Sequence, residues 1–142
     1  MRFMLLLKGD APPDQMPSPE MFEAMDRYNR ELSDAGALLV AEGLLASATG
    51  ARVIHDTNGV HVSDGPFTET KELLAGFWMI QVASREEAVE WARRVPFEPN
   101  EEYGPEMVIE VRQVAELTDF DNVPEAVRQS EAQMRAKAAG GS

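Results

Sequence analysis

The chain has 142 residues, the usual size of one domain folded around a single hydrophobic core. Its hydrophobic fraction of 44% and charged fraction of 27% are ordinary for a globular protein and argue against a disordered chain. The net charge of −12 disfavours nucleic acids and anionic membranes as partners. The absence of cysteine excludes disulfides, thiolate catalysis and cysteine-ligated metals.

Strand and helix patterns alternate along the chain. The apolar run at 3–7 is too short for a signal peptide or a membrane span, so we expect a cytoplasmic protein. Ser18 and Ser84 are the predicted N-caps of the first two helices. In chain order the predictions are a strand at 2–8, a loop at 10–19, a helix at 19–35, a strand at 37–45, hairpin strands at 52–56 and 60–64, a loop at 64–76, a strand at 76–83, a helix from 84 to 95, a loop at 97–105, a strand at 106–114, a helix at 123–138 and a frayed end at 140–142.

This order of elements predicts an α+β fold, a ferredoxin-like split βαβ unit with an inserted β-hairpin. Helices cover one face of such a sheet. The strands at 2–8 and 76–83 are nevertheless apolar on both faces, with Phe77 and Met79 opposite Trp78 and Ile80. A sheet that is apolar on both sides needs cover on both sides. The second cover is either the C-terminal segment or a second subunit, and we favour a second subunit in a face-to-face homodimer.

The predicted hairpin places a histidine close to a carboxylate. Asn58-Gly59 is typical of a type I′ turn, and with these two residues at the turn His55 faces Val62 and becomes a diagonal neighbour of Asp64. A His55–Asp64 dyad is therefore one hypothesis, and it fails if the strands are paired in another register. Asp56 and His61 are expected to form an exposed cross-strand pair.

Glu42 lies in an apolar segment, and strand alternation places it on one face with Val40 and Leu38. A carboxylate on an apolar face is costly unless it is paired. Glu42 is therefore either a strand-end residue that reaches solvent or a general base that also orients a ligand. Lys71 also has two interpretations. It either lies in a solvated loop or faces the pocket and binds an anionic group.

The segment Ser63-Asp64-Gly65-Pro66-Phe67-Thr68-Glu69-Thr70-Lys71-Glu72 is followed by Gly76-Phe77 and later by Glu90-Trp91-Ala92. This pattern resembles the DGPF signature of the YCII-related family, and the resemblance covers roughly residues 2–114. It implies a ferredoxin-like fold that dimerises into an α+β barrel, with a pocket between each sheet and the helices or the partner. A few distant relatives resemble enzymes that use a histidine–aspartate pair, but the first predicted helix of this chain contains no histidine.

The DGPF segment itself has two interpretations. In the first, Asp64 accepts backbone N–H groups in a rigid turn, Gly65 and Pro66 set its backbone angles, and Phe67 fills the core. In the second, Asp64 lies at the rim of a pocket. The chain has no metal-ligand spacing, no glycine-rich phosphate loop and no serine nucleophile elbow, so we expect neither metal nor cofactor.

We divide the chain into a YCII-related domain at 1–114 and a partly helical extension at 115–142. Three functions are weighed. The first is a homodimeric small-molecule-binding protein, and its expected ligand-binding residues are Tyr28, Glu42, Asp64, Phe67, Lys71 and Trp78. The second is an enzyme of lyase or isomerase type with Asp64 or Glu42 as base and His55 or Lys71 assisting. The third is a regulatory protein-interaction module, linked to sigma-factor signalling, that docks through the helix at 123–138.

Overall fold

The computed structural model describes residues 1–11, 16–97 and 106–140. The chain is an α+β protein with six strands and three α-helices in this part. The strands are β1 (Arg2–Lys8), β2 (Leu38–Gly43), β3 (Ala51–Asp56), β4 (Gly59–Asp64), β5 (Leu74–Gln81) and β6 (Ile109–Gln113). The helices are α1 (Pro19–Asp34), α2 (Arg85–Arg93) and α3 (Glu125–Gly140), and short 3₁₀ turns occur at Ser47–Thr49 and Leu117–Asp119.

Four strands form the main sheet in the order β2-β5-β1-β6, and every neighbouring pair is antiparallel. The two central strands, β1 and β5, are the ones that the sequence predicted to be apolar on both faces. This arrangement is compatible with a ferredoxin-like fold. Strands β3 and β4 form a separate two-stranded antiparallel sheet.

The hydrophobic core lies between α1, α2 and one face of the main sheet, which we call the helix-side face. Leu5, Leu32 and Ile80 are its largest fully buried side chains. Both helices begin as predicted, because Ser18 and Ser84 each accept a hydrogen bond from a backbone N–H in the first turn. Apolar positions alternate along β1 and β5, so one set of side chains enters this core.

The other face of the sheet, which we call the open face, carries the second apolar set. Met4, Leu6, Phe77 and Met79 lie on it and are only half-buried. No helix of the described residues is packed on this face to the extent that α1 and α2 cover the core. The alternation read from the sequence is thus confirmed for both central strands.

An irregularity in β2 corrects the predicted face of Leu38. The register against β5 shifts between Leu38 and Val40, so that Leu38 pairs with Ile80 while Val40 pairs with Met79. The β-bulge places Leu38 on the helix-side face and leaves Val40 and Glu42 on the open face. Simple alternation fails here because the bulge adds one residue to the strand.

The turn of the β3–β4 hairpin also differs from the prediction. Asp56 pairs with Gly59, so Thr57 and Asn58 are the turn residues, and neither of them has a positive φ. A type I′ turn needs a positive φ at both central positions, so that prediction was wrong. The positive φ belongs to Gly59, at +115°, and the Asp56 carboxylate accepts the Asn58 N–H at 2.8 Å.

The segment after β6 contains the predicted C-terminal helix, which is α3. It buries none of its side chains. Glu116 links it to the sheet, because this carboxylate binds both Arg2 of β1 and Arg135 of α3. The hydrogen bond from Arg2 lowers the pKa of Glu116. Most of the loop predicted at 97–105, part of that at 10–19 and the chain end at 141–142 lie outside the described residues.

Candidate functional site

A half-open cavity of about 1040 Å³ lies at one end of the main sheet. It is found where β1 and β2 end and where β5 and β6 begin, and it also meets α1 between Phe22 and Asn29. The strand registers show that the cavity is lined by residues from both faces of the main sheet, the helix-side face and the open face. The described residues that form its helix-side wall are Leu7, Phe22, Met25, Asn29, Ala41, Gly43, Gly76 and Trp78.

Two glycines shape this wall. Gly43 and Gly76 are cross-strand partners in β2 and β5. A Cβ on Gly76 would lie 2.9 Å from the Glu42 carbonyl oxygen, whereas a Cβ on Gly43 would meet no atom within 4 Å. Gly76 therefore allows the close approach of two strands, and Gly43 leaves space in the cavity.

The indole of Trp78 is the buried floor of the cavity and is 3% exposed. Its Nε1–H donates to Asn29 Oδ1 at 2.8 Å, and its ring meets that of Tyr28 edge-on, with centroids 5.5 Å apart. The Tyr28 hydroxyl in turn donates to the Trp91 carbonyl at 2.8 Å. This chain of contacts fixes the indole and the Asn29 amide in place.

Tyr28 is a core residue, although we expected it to contact a ligand. It is 4% exposed and is not one of the described residues that line the cavity. Burial raises the pKa of its phenol well above the ordinary value. Its aromatic contacts support Trp78 from behind, so its link to the cavity is indirect.

Charged groups lie at the rim and on the open-face side of the cavity. Glu42 is exposed and pairs with Phe77 across the strands, and Lys71 lies in the turn before β5. Lys8 approaches Glu110 at 3.9 Å. Both signs of charge are therefore available to a polar group at the entrance.

The DGPF segment is held against the turn at Ser47 beside this rim. Asp10 accepts hydrogen bonds from the Ser47 N–H and hydroxyl, and the Ser47 hydroxyl oxygen accepts the Phe67 N–H at 3.1 Å. The Gly65 N–H donates to the Gly50 carbonyl. A Cβ on Gly65 would lie 1.8 Å from the Ser47 carbonyl oxygen, so only glycine fits there. These contacts favour the rigid-turn interpretation of the motif.

Asp64 and Phe67 have positions that the turn dictates. Asp64 is exposed at the end of β4. The Arg52 guanidinium lies 3.9 Å from the centre of the Phe67 ring and approaches Glu69 at 3.4 Å. Phe67 is thus packed under the hairpin and not against the described cavity wall.

The hairpin register contradicts the pairing on which the His55–Asp64 dyad depended. His55 pairs with Val60 beside the turn, whereas Asp64 pairs with Ala51 at the far end of the strands. Four residues of strand separate the two positions, or about 13 Å. The expected exposed pair does form, since His61 Nε2 lies 3.4 Å from an Asp56 oxygen.

Of the residues predicted to form a site, the structure places Glu42, Lys71 and Trp78 at the cavity, and it places Tyr28, His55, Asp64 and Phe67 elsewhere. Sequence reasoning missed the α1 residues Phe22, Met25 and Asn29. Their spacing of three and four residues marks one face of α1, and this spacing was the available signal.

The described residues include no group of three or more histidine, aspartate or glutamate side chains arranged to hold a metal ion. None of the helices in these described segments is long and apolar enough to cross a membrane.

Residues 1–120 match the YCII-related domain. The chain belongs to the YCII-related family. It is also similar to the uncharacterized protein R00369 of Rhizobium meliloti (strain 1021), with 41% identity over 69 residues, which is 49% of this chain. The match spans 56% of that relative, so little more than half of its length is compared. In this YCII-related protein the DGPF motif fixes a junction of loops beside the cavity.

Proposed function

We propose that this YCII-related protein is a homodimeric small-molecule-binding protein of the cytoplasm. The observation that carries the proposal is the cavity of about 1040 Å³ at the end of the sheet. Ligand sites are concave, mostly apolar and carry a few placed polar groups. This cavity has those properties, because apolar side chains and Trp78 form its wall while Asn29, Glu42 and Lys71 supply polar atoms.

The homodimer is supported by the open face of the sheet. Met4, Leu6, Phe77 and Met79 form an apolar surface that the described helices leave partly accessible. Two such faces that pack against each other bury both surfaces in one isologous interface. The assembly is then a dimeric α+β barrel of ferredoxin-like units, in which the β3–β4 hairpin is an insertion.

A cavity-filling variant tests ligand binding. The probe is N-phenyl-1-naphthylamine, an uncharged dye that fluoresces in apolar surroundings. We expect wild-type protein to bind it saturably and Gly43→Phe to weaken binding at least about tenfold, because the new ring occupies space where no atom lies within 4 Å. Gly43→Ala is the control and should retain binding, since a methyl group fills little of the cavity.

Circular dichroism and thermal unfolding verify that both variants are folded. Absence of saturable binding to folded wild-type protein would contradict the proposal. Equal affinity of wild type and folded Gly43→Phe would also contradict it, because the dye would then bind somewhere other than this cavity.

A further inference from the structure

The helix-side wall of the cavity is apolar except for one amide. Among the cavity-lining residues of α1, β1, β2 and β5 on this side of the sheet, Asn29 is the polar one beside the Trp78 indole. We propose that the Asn29 side-chain N–H groups bind a carbonyl oxygen on an uncharged ligand with a ring-sized apolar body. This proposal rests on the proposed function and names the chemical class of the ligand.

The orientation of the amide follows from its partner. An indole Nε1–H can only donate a hydrogen bond, so the atom that it meets must be the amide oxygen of Asn29. Both hydrogens on Asn29 Nδ2 are then left for other acceptors. The hydrogen bonds among the described residues include none that this nitrogen donates. An acceptor on a ligand would satisfy it.

The amide is also held rigidly, which favours recognition of one atom at one place. Trp78 is buried and is fixed by its edge-on contact with Tyr28, and Tyr28 is fixed by its bond to the Trp91 carbonyl. Asn29 loses little additional freedom when a ligand binds, because its oxygen is already engaged.

The absence of charge on this wall favours an uncharged acceptor. Glu42 and Glu110 lie on the open-face side, as the registers of β2 and β6 show, and Lys8 approaches Glu110. The remaining described charged side chains that line the cavity come from the segments outside the strands, namely Asp10, Lys71, Glu72 and Glu106. A carboxylate placed beside Asn29 would lose its hydration, and the lysines of the cavity, Lys8 and Lys71, lie outside α1 and the adjoining β2–β5 wall. A carbonyl oxygen needs only a donor, and Asn29 provides it.

The remaining wall favours a flat apolar body. Phe22, Met25 and Leu7 line the same cavity as the amide, together with the floor formed by Trp78. Aromatic rings pack well against aromatic and methionine side chains. The cavity of about 1040 Å³ is large enough for a fused two-ring compound.

Calorimetric titration with two matched probes tests the inference. 2-Acetylnaphthalene carries the carbonyl, and 2-ethylnaphthalene has the same body with a methylene in its place. We expect wild-type protein to bind the ketone about tenfold more tightly, because only the ketone accepts a hydrogen bond from Asn29. Asn29→Asp is the matched variant, since a carboxylate still accepts from Trp78 but cannot donate to the ligand.

In folded Asn29→Asp the preference for the ketone should disappear while 2-ethylnaphthalene binds as before. Equal affinity of wild-type protein for the two probes would overturn the inference, as would a ketone preference that survives Asn29→Asp. Tighter binding of 2-naphthoate than of the ketone would overturn it in favour of an anionic ligand. These outcomes leave the proposed function intact, whereas loss of all binding in the N-phenyl-1-naphthylamine experiment contradicts both.

Discussion

At the scale of single residues, Tyr28 is an ionisable side chain enclosed in the hydrophobic core. It is 4% exposed, it donates to the Trp91 carbonyl, and its ring contacts two tryptophans edge-on. It belongs to an apolar stripe of α1 that also contains Met25 and Leu32. A tyrosine in such a stripe serves either a core or a pocket, and only the packed structure decides between them.

Because of Tyr28, the stability of the protein should depend on pH in the alkaline range. Burial raises the pKa of the phenol, so the folded state keeps its proton where the unfolded chain ionises, above the ordinary value of about 10. The free energy of unfolding should therefore fall as the pH rises above about 10. Tyr28→Phe should remove this part of the slope and cost about 1 kcal/mol at neutral pH, because the Trp91 carbonyl loses its donor.

Urea unfolding of both proteins between neutral pH and about pH 11 measures this dependence. A slope in Tyr28→Phe as steep as in the wild type would show that another group is responsible.

At the scale of elements, the DGPF segment joins three parts of the chain that are far apart in sequence. Ser47 contacts Asp10 through two hydrogen bonds and Phe67 through a third, and Gly65 approaches the backbone of the same turn. The motif is contiguous in sequence, yet its glycine is required by a neighbour eighteen residues earlier. This distant contact explains why the motif alone left both a turn and a site open.

Gly65→Ala tests this account of the motif. A methyl group would overlap the Ser47 carbonyl oxygen, so we expect a loss of about 1–3 kcal/mol in the free energy of unfolding. Gly43→Ala is the control and should change stability little, since its Cβ meets no atom within 4 Å and its φ is not positive. Chemical denaturation gives both values. Equal stability of the two variants would contradict the requirement for glycine at position 65.

The hairpin illustrates which features the sequence predicts and which it does not. Its two strands and its position were predicted, because turn residues separate two β-branched segments. Its register was wrong by two residues, since Val60 and Val62 are equally suitable partners for a residue on β3. All of β4 is exposed, so no buried face selects one register from the sequence alone.

The same limit applies to the candidate site. Trp78, Glu42 and Lys71 were recognised from their types and surroundings, and all three line the cavity. Asn29 was missed because its importance comes from the indole that orients it, and the two residues are 49 positions apart. Contacts of that kind depend on how α1 lies on β5, which no local pattern specifies.

At the scale of the whole molecule, the apolar open face and the net charge of −12 act in opposite directions on self-association. Burial of Met4, Leu6, Phe77 and Met79 favours the homodimer that we propose. Two chains of the same charge repel each other. The balance should therefore depend on salt, since salt screens the repulsion more than it affects burial of apolar surface.

Sedimentation equilibrium measures this balance. We expect the wild-type dimer to become tighter as salt rises from about 10 mM to about 100 mM, over which the screening length falls from about 30 Å to about 10 Å. Leu6→Lys should give a folded monomer, because it places a charge in the centre of the open face. Gln81→Lys adds the same charge at an exposed end of the face and should remain dimeric.

A monomeric wild-type protein, or a Leu6→Lys variant that stays dimeric, would contradict the face-to-face assembly. Because Leu6 makes no contribution to the helix-side core, thermal unfolding of Leu6→Lys should remain cooperative and serves as the control for folding.

The ion pair between Arg2 and Glu116 holds the first strand of the chain close to the segment that follows the last strand. Arg2 also accepts the Val114 N–H through its carbonyl, so the start of β1 lies directly beside the end of β6. A short linker from residue 116 to residue 1 therefore spans a small gap, and the exposed turn at Thr57 and Asn58 offers a place for new ends. The protein is thus suited to circular permutation: a chain that begins at Asn58 and ends at Thr57, without α3, retains every strand pairing of the main sheet.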